Sequence, residues 1–333
     1  MEVDAQKLMK SATSSIQHIS VTSTSEVPQT FIKEHRRRIT RGPVADYWEL
    51  TKPEISFLVV LSALAGFLMG SRELGYIDGW RLLHTLVGTA FTAAGSGILN
   101  HVIERNLDAL MKRTASRPLP AGRLNPRITN AIGWLLSAVG VLYLALLVNT
   151  LAALLALATV LLYLWVYTPA KRKTTYNTLI GCIPGALPAL GGWAAATGNI
   201  DLGGWTLYAI LFFWQMPHFL SLAWMYRKDY ARAGFKMIPV LDPGGRTTAY
   251  QTLFFTLLLI GASMTPVILG IAGIVYLIGA LLLGAYMLQP VIRFYRTRSN
   301  QDARKVLLAS IVYIPALLGI IFLDLLLDKW ISL

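Results

Sequence analysis

Residues 82–120 read LLHTLVGTAFTAAGSGILNHVI and then, without a break, ERNLDALMKRTASRPLP. The first part is twenty-two residues with no Asp, Glu, Lys or Arg, about the length that crosses the hydrocarbon core of a bilayer as a helix. Asn100, Glu104, Asp108 and Lys112 recur every four residues. On a helix they form one slowly drifting polar stripe, with ~6 Å of rise from one to the next. Acids at the end of a membrane helix are costly unless something binds them. The stretch therefore points to an architecture and to a candidate site at once.

Composition agrees with a membrane protein. Of 333 residues, 55% are hydrophobic and 14% charged, and the mean hydropathy is +0.54. A soluble domain carries roughly a quarter charged residues. Eight further apolar stretches join the one above, giving nine spans near 54–70, 82–103, 128–148, 150–168, 176–197, 204–226, 249–269, 272–289 and 306–327. The predicted fold is an all-α polytopic membrane protein. Residues 1–41 are polar, rich in Ser and Thr, and end in His35-Arg36-Arg37-Arg38. They have no apolar segment of a secretory signal and are expected to be a disordered cytoplasmic tail, with residues 42–333 forming a single transmembrane domain.

The formal charge of +13 excludes nothing by itself, but its placement does. Taken in alternate loops, one side of the membrane holds twenty-five Lys and Arg, the other only Arg72, Arg81 and Lys329. Such an alternation is membrane topology, not a basic face for nucleic acid, and no nucleic-acid partner is expected. It predicts the N-terminus inside, the C-terminus outside, and any chemistry facing the cytoplasm. The single Cys182 excludes an intramolecular disulfide and a cysteine metal cluster.

Two carboxylates and an amide oxygen at helical spacing suit a hard cation such as Mg2+. Lys112, Arg113 and Arg117 follow within a turn or two and are donors of the kind that grip phosphate oxygens. Acid and base together suggest a metal-bridged diphosphate. The ordinary account is a solvated helix end whose cations favour the C-terminal dipole. The scarcity of acids elsewhere in the chain favours function.

The pattern Asn100-x3-Glu104-Arg105-x2-Asp108-x2-Met111-x-Arg113-Thr114-x2-Arg117-Pro118-Leu119-Pro120 resembles the first acidic motif of the UbiA superfamily of intramembrane prenyltransferases. Tyr167-Thr168-x2-Lys171-Arg172-x-Thr174-x2-Asn177 and Pro217-His218-Phe219-x10-Tyr230-x3-Gly234-x2-Met237-x-Pro239 narrow the resemblance to its protoheme IX farnesyltransferases, across residues 45–325. The resemblance implies a nine-helix bundle joining farnesyl diphosphate to a vinyl group of heme b, with Mg2+ on the diphosphate, to give heme O.

It also implies a set of site residues. Asn100, Glu104, Asp108 and Asp229 would hold the metal and, with Lys112 and Arg113, serve catalysis. Arg105, Arg117, Lys171, Arg172 and Lys228 would meet the diphosphate, while His218 and Trp214 would meet the heme. The family's first motif usually has Asp at the places of Glu104 and Asn106, and its second motif usually has an acidic pair where Lys228-Asp229 stands. Further expected partners are the lipid bilayer, a bacterial plasma membrane, and a downstream heme-modifying enzyme.

Other residues divide between two accounts. On spacing alone His218 is a buried histidine bonded to a neighbouring helix, and only the Pro-His-Phe signature moves it to heme, as iron ligand or ring anchor. Were the sixth helix to continue to Asp229, His218 and Asp229 would share a face with ~16 Å of rise between them. His101 lies beside the acidic stripe but off its face and is expected to be structural. Gly181-x3-Gly185-x2-Pro188-x2-Gly191-Gly192 reads as close helix packing. The second and sixth spans each end in a polar cluster and a long basic loop, which suggests a duplication. A prenyltransferase with a quinone or chlorophyll precursor as acceptor would share the diphosphate site. A secondary transporter of an anionic solute would share the Gly and Pro breaks, but not the acid stripe.

Overall fold

A computed structural model describes residues 42–331; the tail expected over 1–41 lies outside the described residues. Thirteen helices follow one another with no strand among the described residues. A short α1 (Pro43–Leu50) precedes α2 (Pro53–Leu74), α3 (Gly79–Asp108), α4 (Pro126–Leu147) and α5 (Thr150–Leu161). A wider turn, Leu162–Tyr167, carries α5 into α6 (Thr168–Lys173). After these come α7 (Asn177–Thr197), α8 (Leu202–Met225), the short α9 (Arg227–Arg232) and α10 (Ile238–Leu241), then α11 (Arg246–Ile268), α12 (Ile274–Thr297) and α13 (Asn300–Ile331). Nine of these segments, counting Thr150–Lys173 as one, are long and apolar enough to cross a membrane among the described residues.

Local chemistry sets the ends. Asp78, Asn125, Asn149 and Asp201 cap α3, α4, α5 and α8 by accepting backbone N–H groups of the first turn. Asn149 also separates the third span from the fourth, where the apolar run has no gap: its Oδ1 caps Ala152 at 2.8 Å while its Nδ2 donates to the Ala194 carbonyl at 2.9 Å. Gly75 and Gly198 end α2 and α7 at positive φ.

Five spans run at least four residues further than the apolar pattern, the first to Leu74 and the ninth from Asn300 among them. The second reaches Asp108, the fourth Lys173 and the eighth Thr297, because a helix continues past its lipid-facing run once its polar side chains find partners. The sixth is shorter than a helix reaching Asp229 would be. It stops at Tyr226 (φ −103°, ψ 18°), so His218 and Asp229 stand on different helices.

α2 to α5 pack as successive neighbours, and α7, α8, α11 and α12 repeat that order, with α13 against α8 and α12. This is the arrangement a duplicated bundle has. α2 meets α7 with the backbones nearly touching: a methyl on Gly66 would strike the Ala189 carbonyl, and one on Gly192 the Ala63 carbonyl. The Gly and Pro pattern of α7 is thus helix packing. Large residues such as Leu142, Leu146, Trp165, Leu282 and Ile311 face outward, as a lipid-facing surface requires.

Candidate active site

The last three turns of α3 carry the stripe into the bundle. Asn100, Glu104 and Asp108 are 2%, 6% and 2% exposed. The fourth member, Lys112, is exposed, because the helix ends at Asp108 and the chain turns away. The Thr114 hydroxyl donates to the Asp108 carbonyl at 2.7 Å and fixes that turn.

Each of the three oxygen donors meets a cation from elsewhere in the chain. Asn100 Oδ1 accepts from Lys52 Nζ at 2.5 Å, Glu104 Oε1 from Lys171 Nζ at 2.6 Å, and Asp108 Oδ2 from Arg117 Nη1 at 2.9 Å. Asn100 Nδ2 in turn donates to Thr168 Oγ1 at 3.3 Å. His101 is also here: its Nδ1 lies 3.8 Å from Asp108 Oδ2, and neither ring nitrogen has a hydrogen-bond partner among the described residues. Residues 101 and 108, seven apart, fall on nearly one face, which sets the imidazole beside the acid at the end of the stripe.

Lys171 owes its place to the wide turn before it. Pro169 has no N–H to offer the Trp165 carbonyl, and the backbone opens to a five-residue step in which Thr168 N–H reaches Tyr163 O. The Thr168 hydroxyl donates to the same carbonyl at 2.8 Å. The Lys171 ammonium then sits over the ring of Tyr167, 4.7 Å from its centroid, and its own carbonyl accepts from Lys236 N–H at 2.8 Å.

Lys52 joins α1 to α2 in the left-handed region (φ 51°), a conformation a non-glycine residue holds only under tertiary constraint. Loss of water pushes its ammonium pKa down to about 7, helped by Lys171 and Arg117 and opposed by Glu104 and Asp108. In the sequence Lys52 reads as one more inside-loop cation, and nothing there singles it out.

The loop after α8 closes over this group. Met111 packs with Ala223, Tyr230, Ala233, Phe235 and Met237. Arg113 donates to the Tyr230 hydroxyl at 2.8 Å, with its guanidinium 4.8 Å and 4.9 Å from the Tyr226 and Tyr230 ring centroids. Asp229 pairs with Arg232 at 2.8 Å, and Lys228 is exposed. Arg172 is exposed, and Arg105 lines a surface groove with Asn125, Arg127 and Asn130, not the acid face. The structure thus brings together Asn100, Glu104, Asp108, Arg117 and Lys171, adds Lys52 and His101, and places Lys112, Arg105, Arg172, Lys228 and Asp229 outside that set of contacts.

Deeper along α8, about two turns before its end, His218 Nδ1 lies 2.9 Å from Ser310 Oγ of α13. The Trp214 ring stacks on the imidazole, 5.1 Å between centroids at 27°. Trp214 Nε1 donates to the Ser310 carbonyl at 2.7 Å.

Among the described residues no three His, Cys, Asp or Glu side chains form a metal cluster. Two buried carboxylates and an amide oxygen still fit Mg2+, which commonly takes one or two protein carboxylates and completes its octahedron with phosphate and water oxygens. Buried oxygens interleaved with the buried Lys171 and the half-buried Lys52 and Arg117 match a ligand that itself carries a metal and phosphate.

Residues 59–314 match the model of the UbiA prenyltransferase family. Over 279 residues the chain is 53% identical to a protoheme IX farnesyltransferase of Salinibacter ruber, covering 84% of this chain and 98% of that one. Among solved structures it is similar to digeranylgeranylglyceryl phosphate synthase, with a TM-score of 0.70 at 19% identity over 84% of this chain and 98% of that one. It is also similar to a UbiA homolog from Archaeoglobus fulgidus bound to GPP and Mg2+, with a TM-score of 0.58 at 16% identity over 83% and 99% of the two chains.

Proposed function

The chain belongs to the UbiA prenyltransferase family, among its protoheme IX farnesyltransferases, and from that premise we propose that it joins the farnesyl group of farnesyl diphosphate to a vinyl group of heme b, releasing diphosphate and giving heme O. The observation that carries the reading is the interleaving of Asn100, Glu104 and Asp108 with Lys52, Lys171 and Arg117 at one end of the bundle.

Asn100, Glu104 and Asp108 would hold Mg2+, with Asp229 completing the grip from the opposite loop once it leaves Arg232. Held there, Mg2+ would supply charge neutralisation for the departing diphosphate. Lys52, Lys171 and Arg117 already pair with these oxygens, so a metal diphosphate can exchange partners with them. Asn100, Glu104 and Asp108 would turn to the metal and Lys52, Lys171 and Arg117 to phosphate oxygens, so that no buried charge would be left alone. Arg113, held between Tyr226 and Tyr230, ties the two loops over the head group, and Arg105, Arg172 and Lys228 would steer the anion from the rim. Burial of the pairs excludes water from an allylic cation that forms as diphosphate leaves. His218 and Trp214 would meet the heme further into the membrane.

The charge alternation supports an N-terminus inside and a site facing the cytoplasm; a bacterial plasma membrane is the proposed setting. A heme-modifying enzyme would take the product onward. The test is incubation of membranes containing the full chain with heme b, farnesyl diphosphate and Mg2+, followed by chromatography for heme O. No heme O, together with transfer to a phenolic acceptor, would reassign the acceptor and leave the prenyltransferase reading standing.

A further inference from the structure

One residue of α13 receives two side chains of α8. Trp214 and His218, four apart and so on one face, reach Ser310 through its backbone carbonyl and its hydroxyl respectively. The Ser310 hydroxyl lies 2.7 Å from the Leu307 carbonyl as well as 2.9 Å from His218 Nδ1. Two oxygens at that separation need a proton between them, and a carbonyl has none to give. The hydroxyl has one proton, so it goes to Leu307. The contact with Nδ1 is then one in which Ser310 Oγ accepts, and the ring proton stands on Nδ1. Nε2 carries the lone pair and has no partner among the described residues. Trp214, stacked on the ring, keeps the imidazole from turning over and exchanging the two nitrogens.

We propose that Ser310 is a positioning residue that holds His218 in the Nδ1–H form and so presents the Nε2 lone pair to the heme iron, as an axial ligand. The inference rests on the reading of His218 as a heme contact and decides between its two forms. A nitrogen with a lone pair serves as a Lewis base to iron and has no proton to donate to a propionate. A hydrogen bond from Nδ1–H to an acceptor also raises the basicity of the other nitrogen, the usual role of the group behind a metal-bound histidine.

Replacing Ser310 with Ala removes the hydroxyl and keeps the carbonyl that Trp214 uses, so the helix contact survives. The experiment is resonance Raman spectroscopy and heme b titration of the full-length protein in detergent, with reduced heme. Ser310→Ala is expected to lower the iron–histidine stretching frequency and to weaken heme binding by about 10- to 100-fold. Ser310→Thr, which keeps the hydroxyl, is expected to restore both. His218→Ala should abolish the iron–histidine band. If Ser310→Ala leaves band and affinity at wild-type values while His218→Ala removes the band, Ser310 has no such role and the heme reading of His218 stands. A band that persists in His218→Ala overturns both.

Discussion

Lys171 and Glu104 come from the fourth and second spans and form an ion pair of 2.6 Å with side chains only 11% and 8% exposed. A buried pair contributes little net stability, but removing one partner leaves a charge with no water and no counter-ion, which costs roughly 3–5 kcal/mol. Lys171→Met and Glu104→Gln are each expected to unfold earlier in detergent than the wild type. The double variant, with neither charge, should recover most of that loss while heme O formation stays at least about 100-fold down. Thermal unfolding and turnover on the same preparations check this. Recovery of turnover in the double variant would mean that the pair is a strut only.

Asp108 differs in that its partner reaches water: Arg117 is 30% exposed against 2% for Asp108. Asp108→Asn should therefore leave a folded protein, because the guanidinium can be solvated in place, yet reduce turnover by about 100-fold or more. A chelator added to the wild type should have the same effect, and restoring Mg2+ should rescue the wild type but not the variant. Turnover unaffected by chelation would remove the metal from the proposal.

The spans were legible because twenty apolar residues have few alternatives to a membrane helix, and the acid stripe because three oxygen donors at a spacing of four cannot scatter around a helix. What decided the site was not local. Lys52 matters through a left-handed backbone and a contact 48 residues away, and in the sequence it is indistinguishable from the other inside-loop cations. Ser310 is one hydroxyl on an apolar helix, where serine commonly bonds its own backbone. Its second contact, 92 residues distant, exists only after α8 and α13 pack. That His101 comes beside Asp108 was readable, since the two stand seven residues apart on one helix. The break at Tyr226 was not, since the following Arg227–Arg232 is itself helical and no Pro or Gly marks the join.

Pro169 offers a test of how Lys171 is aimed. An alanine there supplies the missing N–H, and the wide turn over Leu162–Tyr167 can tighten to an ordinary helical one. Dropping one residue from the turn rotates everything after it by about 100° about the helix axis, which takes the Lys171 ammonium off Glu104. Pro169→Ala is expected to lower the unfolding temperature, because Glu104 stays buried without its counter-ion, and to lower turnover by about tenfold or more. The coupling between Lys171 and Glu104, measured by a double-mutant cycle in that background, should fall toward zero. Full activity with intact coupling would show that the turn holds its width without the proline.

At the opposite end of the bundle, Asp324 of α13 does the work of a helix cap for a neighbour. Its carboxylate accepts from Gly273 N–H at 2.7 Å and Tyr276 N–H at 3.1 Å, the first donors of α12, and from Arg72 Nη1 at 2.9 Å. α12 has no cap of its own, because Gly273 brings no side chain, and a methyl there would stand 2.9 Å from Asp324 Oδ1. Asp324→Ala removes the cap of α12 together with the 2.9 Å contact to Arg72, so a loss of about 2 kcal/mol is expected. Asp324→Asn keeps an oxygen for one of the two N–H groups and should cost about 1 kcal/mol. Both variants should turn over at the wild-type rate in conditions where they are folded, since α3 brings its acids to the other end. Unfolding measured in detergent gives the order Ala below Asn below wild type. A loss of turnover in the folded Asn variant would mean that the two ends of the bundle are energetically coupled through α13, the helix that carries both Ser310 and Asp324.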